Sequence, residues 1–132
     1  LVAAALISLS GCASPASERA RLSSSYPLDQ VEATVRLADA ADAEAVYKLV
    51  SLLEDRDRAV RMYAILALKK LCGQTYGYRY YAAEPERTVA VRRWREALRN
   101  GEVRVGGRPA TSEEEEGAFV GTSPETSESS RE

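Results

Sequence analysis

Apolar residues return at helical intervals through the middle of this chain and lose that rhythm toward both ends. Val46, Leu49, Val50 and Leu53 fall at i, i+3, i+4 and i+7, and Val60, Ala64, Ala67, Leu68 and Leu71 resume the pattern one segment later. Such spacing lays apolar side chains along one face of an α-helix. A stripe of Leu28, Val31, Val35 and Ala38 predicts an earlier helix from about Pro27 to Ala40. Val91, Trp94 and Leu98 predict a later one, starting near Pro85 and closing at Asn100-Gly101. Ile65 and Leu66 widen the apolar face of the third segment, so that helix is expected to be buried on two sides. Strand signals are absent from this reading, and the pattern predicts an all-α fold.

The punctuation agrees with the stripes. Pro27 suits a first helical turn, where its missing N–H costs nothing. Asp42 and Asp57 precede the second and third stripes, and a carboxylate at that position can accept from the exposed N–H groups of the first turn. Gly73 supplies a left-handed stop after the third helix. Helices one and two meet through Ala41-Asp42, and two and three through Glu54-Asp55-Arg56-Asp57. Connections this short place consecutive helices side by side and antiparallel. Stacked hairpins therefore follow more naturally than a bundle with crossovers.

The ends read differently. Leu1 to Leu9, LVAAALISL, is apolar but too short to span a bilayer, which needs about 20 residues. It matches the apolar region of a secretory signal, with a basic leader expected ahead of it. Residues 13–25, ASPASERARLSSS, are small and polar without an apolar period, which predicts a tether. From Gly101 the chain is rich in Gly, Ser, Thr and Pro and carries the run Glu113 to Glu116, a composition expected to stay disordered. The expected organisation is a signal over 1–11, a flexible tether over 12–26, a helical domain over 27–100 and a disordered acidic tail over 101–132.

Composition narrows the chemistry. The chain has 132 residues, enough for one domain, and its net charge of −2 gives no general attraction for nucleic acid. It contains no histidine, which removes the usual general base, the commonest metal ligand and every Ser-His or Cys-His nucleophile. Two cysteines, Cys12 and Cys72, are too few for a thiolate metal site. Carboxylate and lysine chemistry stay possible in principle, but no arrangement points to them. A non-enzymatic protein without cofactor, metal or small-molecule substrate is the expectation.

Two resemblances add to this. Leu9-Ser10-Gly11-Cys12 resembles the lipobox of bacterial lipoproteins, in which small residues precede an obligatory cysteine. That resemblance implies cleavage before Cys12 and a thioether lipid on its sulfur, with two or three acyl chains giving a stable membrane anchor. Ala13 is not Asp, which by resemblance to the sorting rules of two-membrane bacteria favours the outer membrane, on its periplasmic side. An ordinary secretory signal or a buried short helix is the alternative.

Ala38 to Leu71 resembles the HEAT repeat, through Asp42, Ala45, Val46, Leu49, Leu52, Leu53, Asp55, Asp57, Val60, Arg61, Ala64, Ala67, Leu68 and Leu71. The resemblance implies a short α-solenoid of about four antiparallel helices, the first being the second helix of a truncated preceding repeat. GQTYGYRYYAAEPERTVAVRRWREAL departs from the repeat and is similar to the carboxy-terminal extension of certain HEAT-containing bacterial lipoproteins. Solenoids generally need three or more repeats to bury a continuous core, so this extension is expected to cap an open end.

Candidate contact residues come from that extension. Tyr76, Tyr78, Tyr80 and Tyr81 form the densest aromatic set, and Tyr is enriched at binding hot spots. They could instead fold onto the helices, with Trp94 in the core and Tyr80 and Tyr81 left at the surface. Arg92, Arg93 and Arg95 flank Trp94 and could face an anionic partner or simply be solvated. Asp55, Asp57 and Arg61 read as caps and inter-repeat ladders, and Cys72 as a small buried apolar group. The functional expectation is a membrane-anchored module that binds a protein partner in the cell envelope, with no nucleic acid. A structural spacer or assembly factor of an envelope complex is the alternative. A lyase-like enzyme would need a pocket joining Glu84 or Glu86 to the tyrosines.

Overall fold

A computed structural model of the protein describes residues 13–110. The expected signal over 1–11, the lipid acceptor Cys12 and the acidic residues from 111 onward lie outside them. Among the described residues there are five α-helices and one two-stranded hairpin: α1 (Pro15–Arg21), α2 (Pro27–Asp39), α3 (Val46–Leu52), α4 (Arg58–Cys72), α5 (Glu84–Arg99), β1 (Arg104–Val105) and β2 (Arg108–Pro109). The all-α expectation holds at that level.

Capping residues set the boundaries. The Asp42 carboxylate accepts from the N–H groups of Glu44 and Ala45 at 2.9 and 3.1 Å, starting the 3₁₀ turn Ala43–Ala45 that leads into α3. Asp57 does the same for α4, accepting from Ala59 and Val60 at 2.7 and 3.2 Å. Each such cap contributes about 1 kcal/mol by satisfying donors that the helix itself cannot. Gly73 ends α4 at φ 72°, where a side chain would be strained, and its N–H reaches the Lys69 carbonyl.

The helices pair around a single core. α1 packs on α2, α3 on α4, and α2 lies along α4, while α5 covers α3. Val46, Leu49, Val50 and Leu53 of the second predicted stripe are all buried, as are Val60, Ala64, Ala67, Leu68 and Leu71 of the third and Val91, Trp94 and Leu98 of the fourth. The first stripe is corrected. α2 buries Gln30, Ala33, Thr34, Leu37 and Ala38, and leaves Leu28 68% and Val35 41% exposed. Small residues at 33 and 34 let α2 approach its neighbours closely, and that close approach outweighs the bulk of the rival face. Leu66, expected to be buried, is 54% exposed, whereas Ile65 is buried.

Two expected appendages belong to the fold. Residues 15–21, expected as a tether, form α1. Ser14 caps it, accepting from the Ser17 N–H at 3.3 Å, and Pro15 occupies its first turn. Charge rather than an apolar stripe docks this helix. Glu18 is 4% exposed and meets Arg36 at 3.0 Å and Arg21 at 3.5 Å. Arg19 meets Asp42 and Glu44, each at 2.7 Å, and Leu22 closes the contact as a buried residue.

Residues 101–110, expected as the start of a disordered tail, form the β1–β2 hairpin against α4. Gly106 and Gly107 both take positive φ, which a two-residue hairpin turn demands and side-chain-bearing residues resist. Val103, Val105 and Ala110 are buried beneath it.

The direction of α5 sets up the two ends of the molecule. Tyr47, at the start of α3, shares a groove with Leu98 and Arg99, at the end of α5. Arg95 pairs with Glu54, just beyond the opposite end of α3. α5 thus runs antiparallel to α3, and Gly73–Ala83 must travel back along the domain to begin it. One pole gathers the α1–α2 connection, the Glu54–Asp57 turn and Tyr78–Ala83. The other gathers Ser14, the Ala41–Glu44 turn and the hairpin, which together line one open groove of about 750 Å³.

Candidate functional site

The return segment between α4 and α5 carries most of the residues singled out from sequence, and the fold divides them. Trp94 is wholly buried and donates its indole N–H to the Thr75 carbonyl at 3.1 Å. Tyr76 stands edge-on to the Trp94 ring with centroids 4.7 Å apart, an arrangement that suits the ring quadrupoles. Tyr78 is 4% exposed and donates its hydroxyl proton to the Leu53 carbonyl at 2.6 Å. Burial pushes the Tyr78 hydroxyl above its ordinary pKa, and Tyr76 likewise, with the Glu102 charge adding to the latter. Tyr78 is thus turned into the core, and Tyr76 is half-buried against Trp94.

Tyr80 and Tyr81 turn the other way. Their rings meet at 90° with centroids 5.2 Å apart, and the Arg58 guanidinium lies 5.5 Å above the Tyr80 ring. Tyr81 is 59% exposed and Tyr80 is half-buried. A cation over an aromatic face is held by the ring quadrupole, which fixes a flexible side chain at low entropic cost. Arg61 secures the segment from below. It donates Nε–H to the Tyr80 carbonyl at 3.3 Å and Nη1–H to the Asp55 and Arg56 carbonyls at 2.8 and 2.9 Å. Asp55 in turn accepts from the Asp57 N–H at 2.8 Å. The acid pair and Arg61 thus stitch a turn together, and Asp55 and Asp57 line an open groove of about 540 Å³ with Ser24, Ser25 and Glu54.

The three arginines around Trp94 also separate. Arg92 is exposed on α5. Arg93 lies over the backbone of Gly77, where an added Cβ would sit 3.1 Å from its Nη1. Arg95 is held by Glu54. No single basic patch unites them. Glu86 pairs with Arg79 at 2.6 Å, so it is committed to a surface ion pair.

Sequence reasoning missed Arg58 and the buried Glu18. Arg58 could not be assigned to Tyr80 without knowing that the chain doubles back. Cys72 is half-buried, and burial pushes its thiol up to about 11, which keeps it protonated and unreactive near neutral pH.

Among the described residues no cluster of three His, Cys, Asp or Glu side chains could hold a metal ion, and no described helix is long and apolar enough to cross a membrane. The grooves are open and polar or shallow. An apolar one, of about 220 Å³, runs between α2 and α4 past Val35, Ala38, Tyr63 and Leu66. Comparison with known proteins gives no match: no family model, no curated protein and no solved structure is significantly similar to the chain.

Proposed function

We propose that the protein is a membrane-anchored lipoprotein whose helical domain binds a protein partner in the cell envelope and catalyses no reaction. The observation that carries the reading is the Arg58–Tyr80–Tyr81 cluster, in which Arg58 and Tyr81 are exposed and Tyr80 half-buried, pinned from beneath by Arg61. A preordered aromatic and cationic patch suits protein recognition, because large contact area is presented with little ordering cost left to meet on binding. The anchor is the lipid that the Leu9-Ser10-Gly11-Cys12 motif implies for Cys12.

The domain is, in this reading, a short solenoid in the manner of HEAT repeats. α1 with α2 and α3 with α4 are its two hairpins, and the contact of α2 with α4 is the stacking interface. Asp42, Asp57 and Arg61 perform the capping and turn-fixing that the resemblance assigns to them. α5 and the hairpin then close the end of the stack, in the capping role such short arrays require.

The test is affinity purification of the detergent-solubilised protein from its native membrane, beside the double variant Tyr80→Ala, Tyr81→Ala. A partner retained by the parent and lost by the variant is expected. A partner retained by both would move the site to the helix faces, and constant stoichiometry within one complex, without independent affinity, would favour a spacer.

A further inference from the structure

We propose that the pole carrying Ser14, the Ala41–Glu44 turn and the β1–β2 hairpin rests directly on the bilayer surface, so that the Tyr80–Tyr81 pole points away from it. The inference builds on the lipid anchor proposed for Cys12 and adds an orientation to it. Its basis is the docking of α1. The sequence alone offers a long polar tether after Cys12, which would let the domain turn freely. The fold removes that tether, because Ser14 already caps a helix fixed to α2 and the Asp42 turn by Glu18 and Arg19.

Only Ala13 separates Cys12 from that cap. Two residues span at most about 7 Å even when fully extended. The polar headgroup layer is about as deep on each side of a bilayer. A lipid on Cys12 therefore holds Ser14 at the headgroups, and everything sharing its groove comes with it, including Val105, Arg108 and Pro109 of the hairpin.

The surface chemistry of this pole suits contact with headgroups rather than insertion among acyl chains. Pro15, Ala16, Ala41, Gly106, Gly107 and Pro109 are exposed but small, and among the described residues no large apolar side chain projects there. The carboxylates of Asp42 and Glu44 are engaged by Arg19, and Glu102 is held by Asn100. Arg104 and Arg108 remain exposed and cationic, the charge that anionic headgroups attract. At 1.5 Å per residue α4 is about 22 Å long, which sets the height at which the aromatic pole stands above the lipid.

The experiment uses the full lipidated chain purified from membranes and reconstituted into vesicles of mixed zwitterionic and anionic phospholipid. Cys72→Ala removes the half-buried thiol, and a nitroxide is attached through Arg108→Cys or, at the opposite pole, Arg56→Cys. The intact mass of the Cys12 peptide is recorded on the same preparation. With acyl mass present, the label at 108 is expected to lose several-fold in collision rate with a water-soluble nickel chelate relative to an unlipidated Cys12→Ser protein, while the label at 56 stays unchanged. Inserting ten Gly/Ser residues after Ala13 allows a mean reach of about 17 Å and is expected to restore access at 108.

Acyl mass with equal access at both positions would overturn the orientation and leave the anchor standing. Protection at 108 that survives the insertion would overturn it too, since chain length would not be what holds the pole. Absence of acyl mass would remove the anchor and the orientation together.

Discussion

α1 and the return segment before α5 are both short pieces laid onto the central helices, yet they are attached by different physics. α1 brings almost no apolar surface. It is held by Glu18, Arg19 and Arg21 reaching Arg36, Asp42, Glu44, Asp29 and Glu32, several of them partly open to solvent. The return segment buries Tyr78, leans Tyr76 on Trp94 and closes its polar atoms on the Leu53 and Thr75 carbonyls. Ion pairs at a surface weaken with salt and contribute little each, whereas a buried aromatic set is indifferent to salt and costly to disturb. The fold therefore has one electrostatic clasp and one apolar clasp.

The contrast is broken most severely at Trp94. Trp94→Ala removes the surface on which Tyr76 rests and the donor to Thr75, and is expected to cost about 3–5 kcal/mol. Denaturant titration would show this as a lower midpoint, and an unchanged midpoint would mean that the segment is not anchored there.

The electrostatic clasp is probed at Glu18, where Glu18→Ala strips Arg36 and Arg21 of their buried partner. A loss of about 1.5–3 kcal/mol is expected, the range for hydrogen bonds to charged groups. Amide exchange should quicken in α1 and not in the return segment, and raising salt in the parent protein should quicken α1 in the same selective way. Equal salt sensitivity in both segments would erase the distinction.

The smallest effects, those of pH, should act on the two clasps from opposite sides. Hydrogen bonds from Arg21, and then from Ser24, hold the Asp29 carboxyl below its ordinary pKa. Its folded value being depressed, its contribution is present above the unfolded pKa and is lost as pH falls through the folded one. Tyr78 is shifted up by burial, so its folded state is undisturbed below the ordinary tyrosine value and loses stability as pH rises past it. Exchange followed from acid to alkaline pH should loosen α1 first at the acid end and the return segment first at the alkaline end.

Much of the fold was legible because it was written in caps. Asp42, Asp57 and Gly73 each perform a local act that needs no knowledge of the rest of the chain. The stripes of α3, α4 and α5 were legible for the same reason, since one face of each is clearly the more apolar. α2 offered two faces, and the choice between Leu28 with Val35 and Ala33 with Leu37 depended on how closely a neighbour could approach. α1 was hidden because its docking is ionic, and periodicity of apolar residues cannot register that. The hairpin did leave a trace in Val103, Val105 and the Gly106-Gly107 pair, but two-residue strands fall beneath the length at which alternation becomes a signal.

Of the candidate contacts, the division between core and surface followed from the path of the chain. Four tyrosines in six residues look alike in a sequence. Only the reversal between Gly73 and Ala83 turns Tyr78 inward to Leu53 and leaves Tyr81 outside. Arg58 joined the cluster by the same reversal, from a helix that the sequence places more than twenty residues earlier.

Because Ser14 and Pro109 line the same groove, the described chain enters and leaves the domain side by side. Tension applied between the two ends would not stretch the helices along their axes. It would open the molecule from that edge, peeling α1 and the hairpin away one contact at a time while α3, α4 and α5 stayed folded. The edge loaded first is the one bearing the ion pairs of Arg19.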